Sequence, residues 1–266
     1  MLTLKPIPCR QDNYIWILHD TRYAWVIDPS LAAPVRDYIA QHGLILIDIL
    51  ITHHHYDHVE GIDELLPLLK GHVIGASQRI PQLTDILPSP AKFKLNHSEI
   101  DVELISTFGH TYDHVSYYLP NALPQPLLFC GDTIFSAGCG RLFDGTIEQL
   151  FDTFQRLMQL PDNTLIACAH EYTLSNLEYA LAIDPGSEPT QNYNNQVKYA
   201  RARDQPSLPS HLALEKSINP YMRCVAFESE WISHLTEFAL RRGVSEVSIQ
   251  TPFDAFKLCR VLKNTF

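Results

Sequence analysis

Apolar residues in this chain fall into short runs, and polar loops rich in histidine and aspartate follow several of them. Tyr14–Leu18 and Ala24–Ile27 predict paired strands, joined by a turn around Asp20 to Arg22 and ended by Asp28-Pro29. Pro34–Gln41 predicts a short helix, with proline in its first turn and Gly43 beyond its end. Leu44–Ile51 is apolar enough for a buried strand, Gly61–Leu69 predicts a helix stopped by Gly71, and His72–Ala76 and Val102–Thr107 predict further strands. This alternation of strand and helix is expected to run to about residue 170. After Tyr172 the character changes. Thr173–Ile183, Thr190–Arg203 and Glu228–Arg241 carry helical patterns, and few strand-like segments remain. The expected division is a catalytic domain over 1–172 and a helical domain over 173–266.

Candidate chemistry sits just past the strands. Leu44–Ile51 runs into Thr52-His53-His54-His55-Tyr56-Asp57-His58. Gly109-His110-Thr111 follows Thr107, Gly131-Asp132-Thr133 follows Cys130, and His170-Glu171-Tyr172 follows Cys168 by one residue. Imidazole and carboxylate are the ligands of zinc and similar borderline metals. Residues at i and i+2 of an extended loop can point the same way, so His53 and His55 can grip one ion while Asp57 and His58 face a second. Strand ends in one sheet converge on one edge, where His110, Asp132 and His170 can join them. Any one of these loops alone would more often be structural. Their recurrence at four strand ends carries the metal reading.

Composition narrows the class. The chain has 266 residues, 45% apolar and 19% charged, as in ordinary globular proteins. A net charge of −10 argues against nucleic acid and anionic membrane as partners. Thirteen histidines suit a metal protein. Six cysteines at 9, 130, 139, 168, 224 and 259 form no C-x-x-C pair and predict free thiols in a reducing compartment, the cytoplasm. No apolar run is long enough to cross a membrane.

The set T-H-x-H-x-D-H, G-H-T, G-D-T and H-E-Y resembles the metallo-β-lactamase superfamily, and within it the hydroxyacylglutathione hydrolases, or glyoxalase II family. Asp12-Asn13-Tyr14-Ile15-Trp16, Gly138-Cys139-Gly140-Arg141 and Ala169-His170-Glu171-Tyr172-Thr173 resemble that family more than the superfamily at large. The resemblance spans nearly the whole chain. It implies an α+β fold, an αββα sandwich of two mixed sheets with a small C-terminal helical domain. It implies two divalent ions, zinc first with iron or manganese as alternatives. By motif, His53, His55 and His110 hold one ion, Asp57, His58 and His170 hold the other, and Asp132 bridges them. Two such ions about 3.5–4 Å apart share a water and make it a nucleophile near neutral pH. Asp57 and Asp132 are then the catalytic carboxylates, Asp57 orienting that water. The remaining histidines, 19, 42, 54, 72, 97, 114, 211 and 234, are read as structural or exposed. Asp28 is either a partner orienting a ligand histidine or a turn residue before proline.

The substrate implied is a glutathione thioester, S-D-lactoylglutathione, hydrolysed to glutathione and D-lactate as the second step of methylglyoxal detoxification. Arg141, Tyr172, Arg260 and Lys263 match the family's positions for the peptide part. Spacing alone would make Arg260 and Lys263 a solvated basic tail. A protein at −10 needs local cations to hold an anionic peptide, and Arg or Lys supplies them. Against the family pattern, Phe143 stands in place of a tyrosine, Arg141 of a lysine, Ser30 of a glycine and Asn264 of an aspartate. Cys139, between two glycines, is expected to be exposed. A monomer is expected. The rival readings are an iron-dependent persulfide dioxygenase of the same fold and a non-catalytic metal-binding protein.

Overall fold

The computed structural model describes residues 2–266. The first sheet is built in the order β1 (Thr3–Cys9), β2 (Asn13–His19), β3 (Tyr23–Ile27), β4 (Ile45–Leu50), β5 (Val73–Gly75) and β6 (Asp85–Ile86). Alternation along β2 explains the layering. Ile15 and Ile17 face Val35 and Ile39 of helix α1 (Ala32–His42), with Ile62 and Leu65 beside them. Tyr14, Trp16 and Leu18 point the other way, into the core shared with the second sheet. The expected helix over Gly61–Leu69 is only the short α3 (Ile62–Leu65), and another short helix, α2 (Tyr56–Val59), precedes it.

The second sheet contains β7 (Ala91–Lys94), β8 (Asp101–Ser106), β9 (Val115–Leu119) and β10 (Leu127–Gly131), then, after a two-stranded ribbon of β11 (Ile134–Phe135) and β12 (Gly138–Cys139), β13 (Leu165–Cys168) and β14 (Ser210–His211). Five strands therefore run from 101 to 139 without a helix, and the expected strict alternation fails there. The inner strands β9, β10 and β13 lie against apolar groups on both faces and are buried almost throughout, whereas β7 and β8 alternate between covered and more exposed positions.

Strand direction gathers the site. β8 is antiparallel to β9, β9 to β10, and β10 is parallel to β13. The loops leaving β8, β10 and β13 thus emerge at one edge. In the first sheet β3 and β4 are parallel and bring Asp28 and the Thr52–His58 loop out together. The strand ends come from two sheets, and not from the single sheet expected above. A cross-sheet tie aligns them. Asn13 bridges His170, Tyr14 N donates to Ala169 O at 2.7 Å, and Glu171 N donates to Asp12 O at 2.8 Å.

Helix α4 (Ile147–Leu157) packs on the second sheet's side of the core. The C-terminal region is helical as expected, with α5 (Thr173–Ile183), α6 (Glu188–Arg201), α7 (Leu212–Ile218), α8 (Pro220–Ala226), α9 (Ser229–Arg241) and α10 (Pro252–Asn264). One continuous apolar core joins it to the sandwich, with Phe154, Tyr221 and Phe256 in mutual ring contact. Helix α10 opens with Pro252 at its start and a Thr251–Asp254 capping box. Arg260 and Lys263 therefore lie on a docked helix, and Arg260 is buried. They do not form the solvated tail that spacing alone suggested.

Candidate metal centre

The Thr52–His58 loop bends at the end of β4 and begins α2 at Tyr56. His53 Nε2 lies 3.0 Å from His55 Nδ1, and His110 Nε2 lies 3.0 Å from the same atom. The candidate ligand atoms of these three residues are all within 4.8 Å of one another. Asp57, His58 and His170 form a second such group, and His53, His58 and Asp132 a third that joins the two. Asp132 sits between them. Its Oδ1 is 3.4 Å from His58 Nε2 and 3.3 Å from His170 Nε2, and its Oδ2 is 3.5 Å from His110 Nε2. Asp57 Oδ2 is 3.5 Å from His170 Nε2 and accepts from Asn13 Nδ2 at 3.0 Å. All seven expected ligands thus meet at one place.

The outward ring nitrogens have partners. His58 Nδ1 bonds Asp28 Oδ2 at 2.9 Å, and His170 Nδ1 bonds Asp12 Oδ1 at 2.8 Å. His110 Nδ1 donates to the Arg141 carbonyl at 2.7 Å, and His53 Nδ1 meets Thr52 Oγ1 at 3.0 Å. A proton on each Nδ1 leaves the Nε2 lone pair facing inward, the tautomer a metal requires. Asp28 is both things considered for it. It has φ 51 ahead of Pro29, and its other oxygen accepts from the Thr52 amide at 2.8 Å.

The chemistry of the donors fits a metal. His58 Nε2 and Asp132 Oδ1 are buried without a hydrogen-bond partner. Each such orphan costs roughly 1–3 kcal/mol unless something occupies the space between them. Two nitrogen-rich sets sharing a carboxylate suit zinc, iron or manganese. The electrostatics divide the histidines. Burial, reinforced by neighbouring imidazoles, holds His53 well below the usual range and pushes His55 down to about 4; burial also lowers His110. Burial opposes charge on His58 and His170 too, but carboxylates outweigh it. Asp132, Asp28 and Asp57 raise His58, and Asp132 with Asp12 raises His170 to about 10. The same imidazoles hold Asp132 well below the carboxylate range despite its burial.

Backbone packing is tight around the cluster. Gly131 takes φ 47, and a Cβ there would lie 2.5 Å from Thr52 Oγ1 and 2.8 Å from His114 Nε2. At Gly140 a Cβ would stand 1.9 Å from the Asp132 carbonyl oxygen.

The four expected substrate contacts surround the Cys139–Arg141 segment. Arg141 is exposed, and its charge is felt at the Tyr172 hydroxyl. Tyr172 stacks on His170 with centroids 4.8 Å apart. Arg260 lies beneath the segment, 6% exposed, donating to the carbonyls of Cys139 and Gly140 at 3.3 and 3.4 Å. Lys263 reaches the Ser175 carbonyl at 3.1 Å and lies over the Tyr179 ring, and burial followed by the charge of Arg260 pushes it down to about 8. Phe143, without a phenol hydroxyl, stands exposed with its ring against His55 and His110. Cys139 is buried, contrary to expectation, because Arg260 and α10 cover it.

Sequence reading missed several residues. Asp12 was part of a motif without a role, and its partner lies 158 residues away. Thr52 links Asp28 to His53. His114, read as structural, is buried as expected, stacked on His53 at 4.8 Å and accepting the Asp132 amide at 3.2 Å. The one available signal was that Thr52 opens the T-H-x-H-x-D-H motif.

Comparison with known proteins identifies the family. The sequence profile of the metallo-beta-lactamase superfamily matches residues 7–170, and that of the hydroxyacylglutathione hydrolase C-terminus matches residues 171–266. A Vibrio cholerae protein named hydroxyacylglutathione hydrolase is 39% identical over 269 residues, covering 100% of both chains. One of the same name from Pseudomonas entomophila is 43% identical over 243 residues, covering 88% of this chain and 93% of its own. Among solved structures, ETHE1 from Myxococcus xanthus shares the fold with a TM-score of 0.62 at 22% identity, covering 88% of this chain and 90% of its own. A buried histidine–aspartate cluster on a metallo-β-lactamase sandwich, continued by this C-terminal region, places the chain in the hydroxyacylglutathione hydrolase family.

Proposed function

We propose that this chain hydrolyses S-(2-hydroxyacyl)glutathione thioesters, S-D-lactoylglutathione foremost, to glutathione and the 2-hydroxy acid, the second step of methylglyoxal detoxification. The observation that carries the reading is the meeting of seven histidine and aspartate ligands beside a C-terminal region of the family's type. His53, His55 and His110 would hold one divalent ion and Asp57, His58 and His170 the other, with Asp132 lying between the two groups. Zinc is the proposed metal. When bound, the ions supply Lewis acidity, making a water nucleophilic near neutral pH and polarising the thioester carbonyl.

The chain's own residues do the rest. Asp57, fixed by Asn13, accepts a hydrogen bond from the attacking water and orients it. Asp12, Asp28, Thr52 and the Arg141 carbonyl hold the imidazoles in the ligating tautomer. Arg141, Tyr172 and Lys263 line the side on which the glutathione carboxylates bind. Arg260 shapes that side from below by capping the Cys139 and Gly140 carbonyls. Residues 1–172 act as the catalytic domain and 173–266 as the peptide-binding domain. The six free cysteines suit a reducing cytoplasm, and no described helix is long and apolar enough to cross a membrane.

Purified protein with measured metal content tests this. Hydrolysis of S-D-lactoylglutathione with two ions per chain is the expected result. Oxygen consumption with a persulfide substrate and no thioester cleavage would refute it.

A further inference from the structure

The two ligand groups are supported differently, and the difference singles out Arg79. His58 and His170 each lean on a carboxylate through the outer nitrogen. His53 and His110 lean on a hydroxyl and a backbone carbonyl. These neutral partners sit on loops, so the geometry of the three-histidine group depends on how those loops are held. Arg79, from the loop between β5 and β6, touches all of them.

Its Nη1 donates to His54 Nε2 at 3.0 Å and to Asp144 Oδ2 at 2.5 Å. Its guanidinium lies 4.2 Å over the Tyr112 ring. His54 stands between ligands His53 and His55. Tyr112 lies two residues beyond ligand His110, and its amide donates to Asp144 Oδ1 at 2.9 Å. Asp144 follows Phe143, whose amide donates to the His110 carbonyl at 3.0 Å. A guanidinium cannot accept, so His54 accepts at Nε2 and carries its proton on Nδ1, facing Asp113 Oδ1 at 3.4 Å. Asp113 in turn takes Thr111 Oγ1 at 3.0 Å and the Ser77 hydroxyl. An isolated exposed ion pair contributes little. Here one planar cation engages three loops at once, by hydrogen bond and by stacking, which lysine cannot reproduce.

We infer that Arg79 is a positioning residue for the His53–His55–His110 group, retaining the ion held there without contributing to the Asp57–His58–His170 group. The inference rests on the two-ion reading above.

The test uses zinc-loaded full-length protein challenged with a chromophoric chelator. Wild type should release two ions in two phases, and His110→Ala should identify the phase of the three-histidine group. Arg79→Ala should accelerate that phase alone by about threefold or more, less than the roughly 10–100-fold effect of losing a ligand's direct hydrogen-bond partner. Asp144→Asn should move the same phase in the same direction, and Arg79→Lys should fall between. The kcat of Arg79→Ala should recover with excess zinc, while KM for the glutathione thioester stays unchanged. Unaltered release in both phases, or equal acceleration of both, would overturn the inference and leave the two-ion reading standing. Fewer than two ions in wild type would overturn both.

Discussion

The two halves of the candidate metal centre both face Asp132 but differ in what stands behind them. In the three-histidine half, burial and mutual repulsion keep the imidazoles neutral. In the other half, carboxylates outweigh burial: Asp132 and Asp28 raise His58, and Asp132 with Asp12 raises His170 to about 10. A carboxylate brace makes an imidazole a more basic ligand, but in the metal-free protein it also holds a proton that an ion must displace. A neutral brace leaves the lone pair free and relies on loop geometry. The two halves therefore respond to opposite perturbations.

Asp132→Ala should erase the contrast, because this side chain faces both halves. Both ions should be lost, and the loss of several kcal/mol of transition-state stabilisation should lower kcat by about a thousandfold. Two ions per chain in this variant, measured by elemental analysis, would take Asp132 out of the bridge.

Asp12→Asn should act on one half only, because Asp12 backs His170, whereas Asp28 backs His58 and, through Thr52, His53 as well. Competition titration of Asp12→Asn should show affinity at the Asp57–His58–His170 group weakened by about 10–100-fold. An equal loss at both groups would mean that Asp12 holds the fold and not the ligand.

Proton linkage sharpens the same contrast in the metal-free protein. His170, raised from 6.5 to about 10, contributes stability that is complete below about pH 6.5 and lost as pH rises through 10. His55, lowered from 6.5 to about 4, contributes stability present above about pH 6.5 and lost as pH falls toward 4. The melting temperature of metal-free protein should thus peak near pH 6.5. Loading with zinc should release the proton held on His170 and remove the alkaline decline. A melting profile unchanged by metal would contradict this assignment.

The smallest expected effect lies outside the metal centre. Lys263→Ala should raise KM for S-D-lactoylglutathione about three- to tenfold, the loss of one partly exposed charged hydrogen bond. Hydrolysis of a small thioester lacking the glutathione carboxylates should change little. Equal losses on both substrates would place Lys263 in the packing around Ser175 and Tyr179 instead.

How far the sequence could be read follows from the range over which each signal acts. His53, His55, Asp57 and His58 were legible because one loop holds them in sequence. His110, Asp132 and His170 were legible because each follows an apolar strand, although which sheet carried each strand was not. Asp12 was illegible, since its partnership with His170 exists only once the two sheets are tied edge to edge. Strand β1 was hidden by Pro6 and Pro8, which an edge strand tolerates and an inner one does not. Helix α10 left a readable mark in Thr251-Pro252 and Asp254, and only its tertiary cover made Arg260 a buried cation.

The tie between the sheets also bears on how this molecule is born and how it dies. Neither ligand group is complete within the first sheet, since one needs His110 and the other His170. A nascent chain therefore cannot finish either group until its second sheet has docked, and ion capture comes late. An ion held by either group would link segments far apart in sequence and favour the closed sandwich by mass action. A cell starved of the metal would then hold fewer chains, because those it makes would be short-lived as well as inactive.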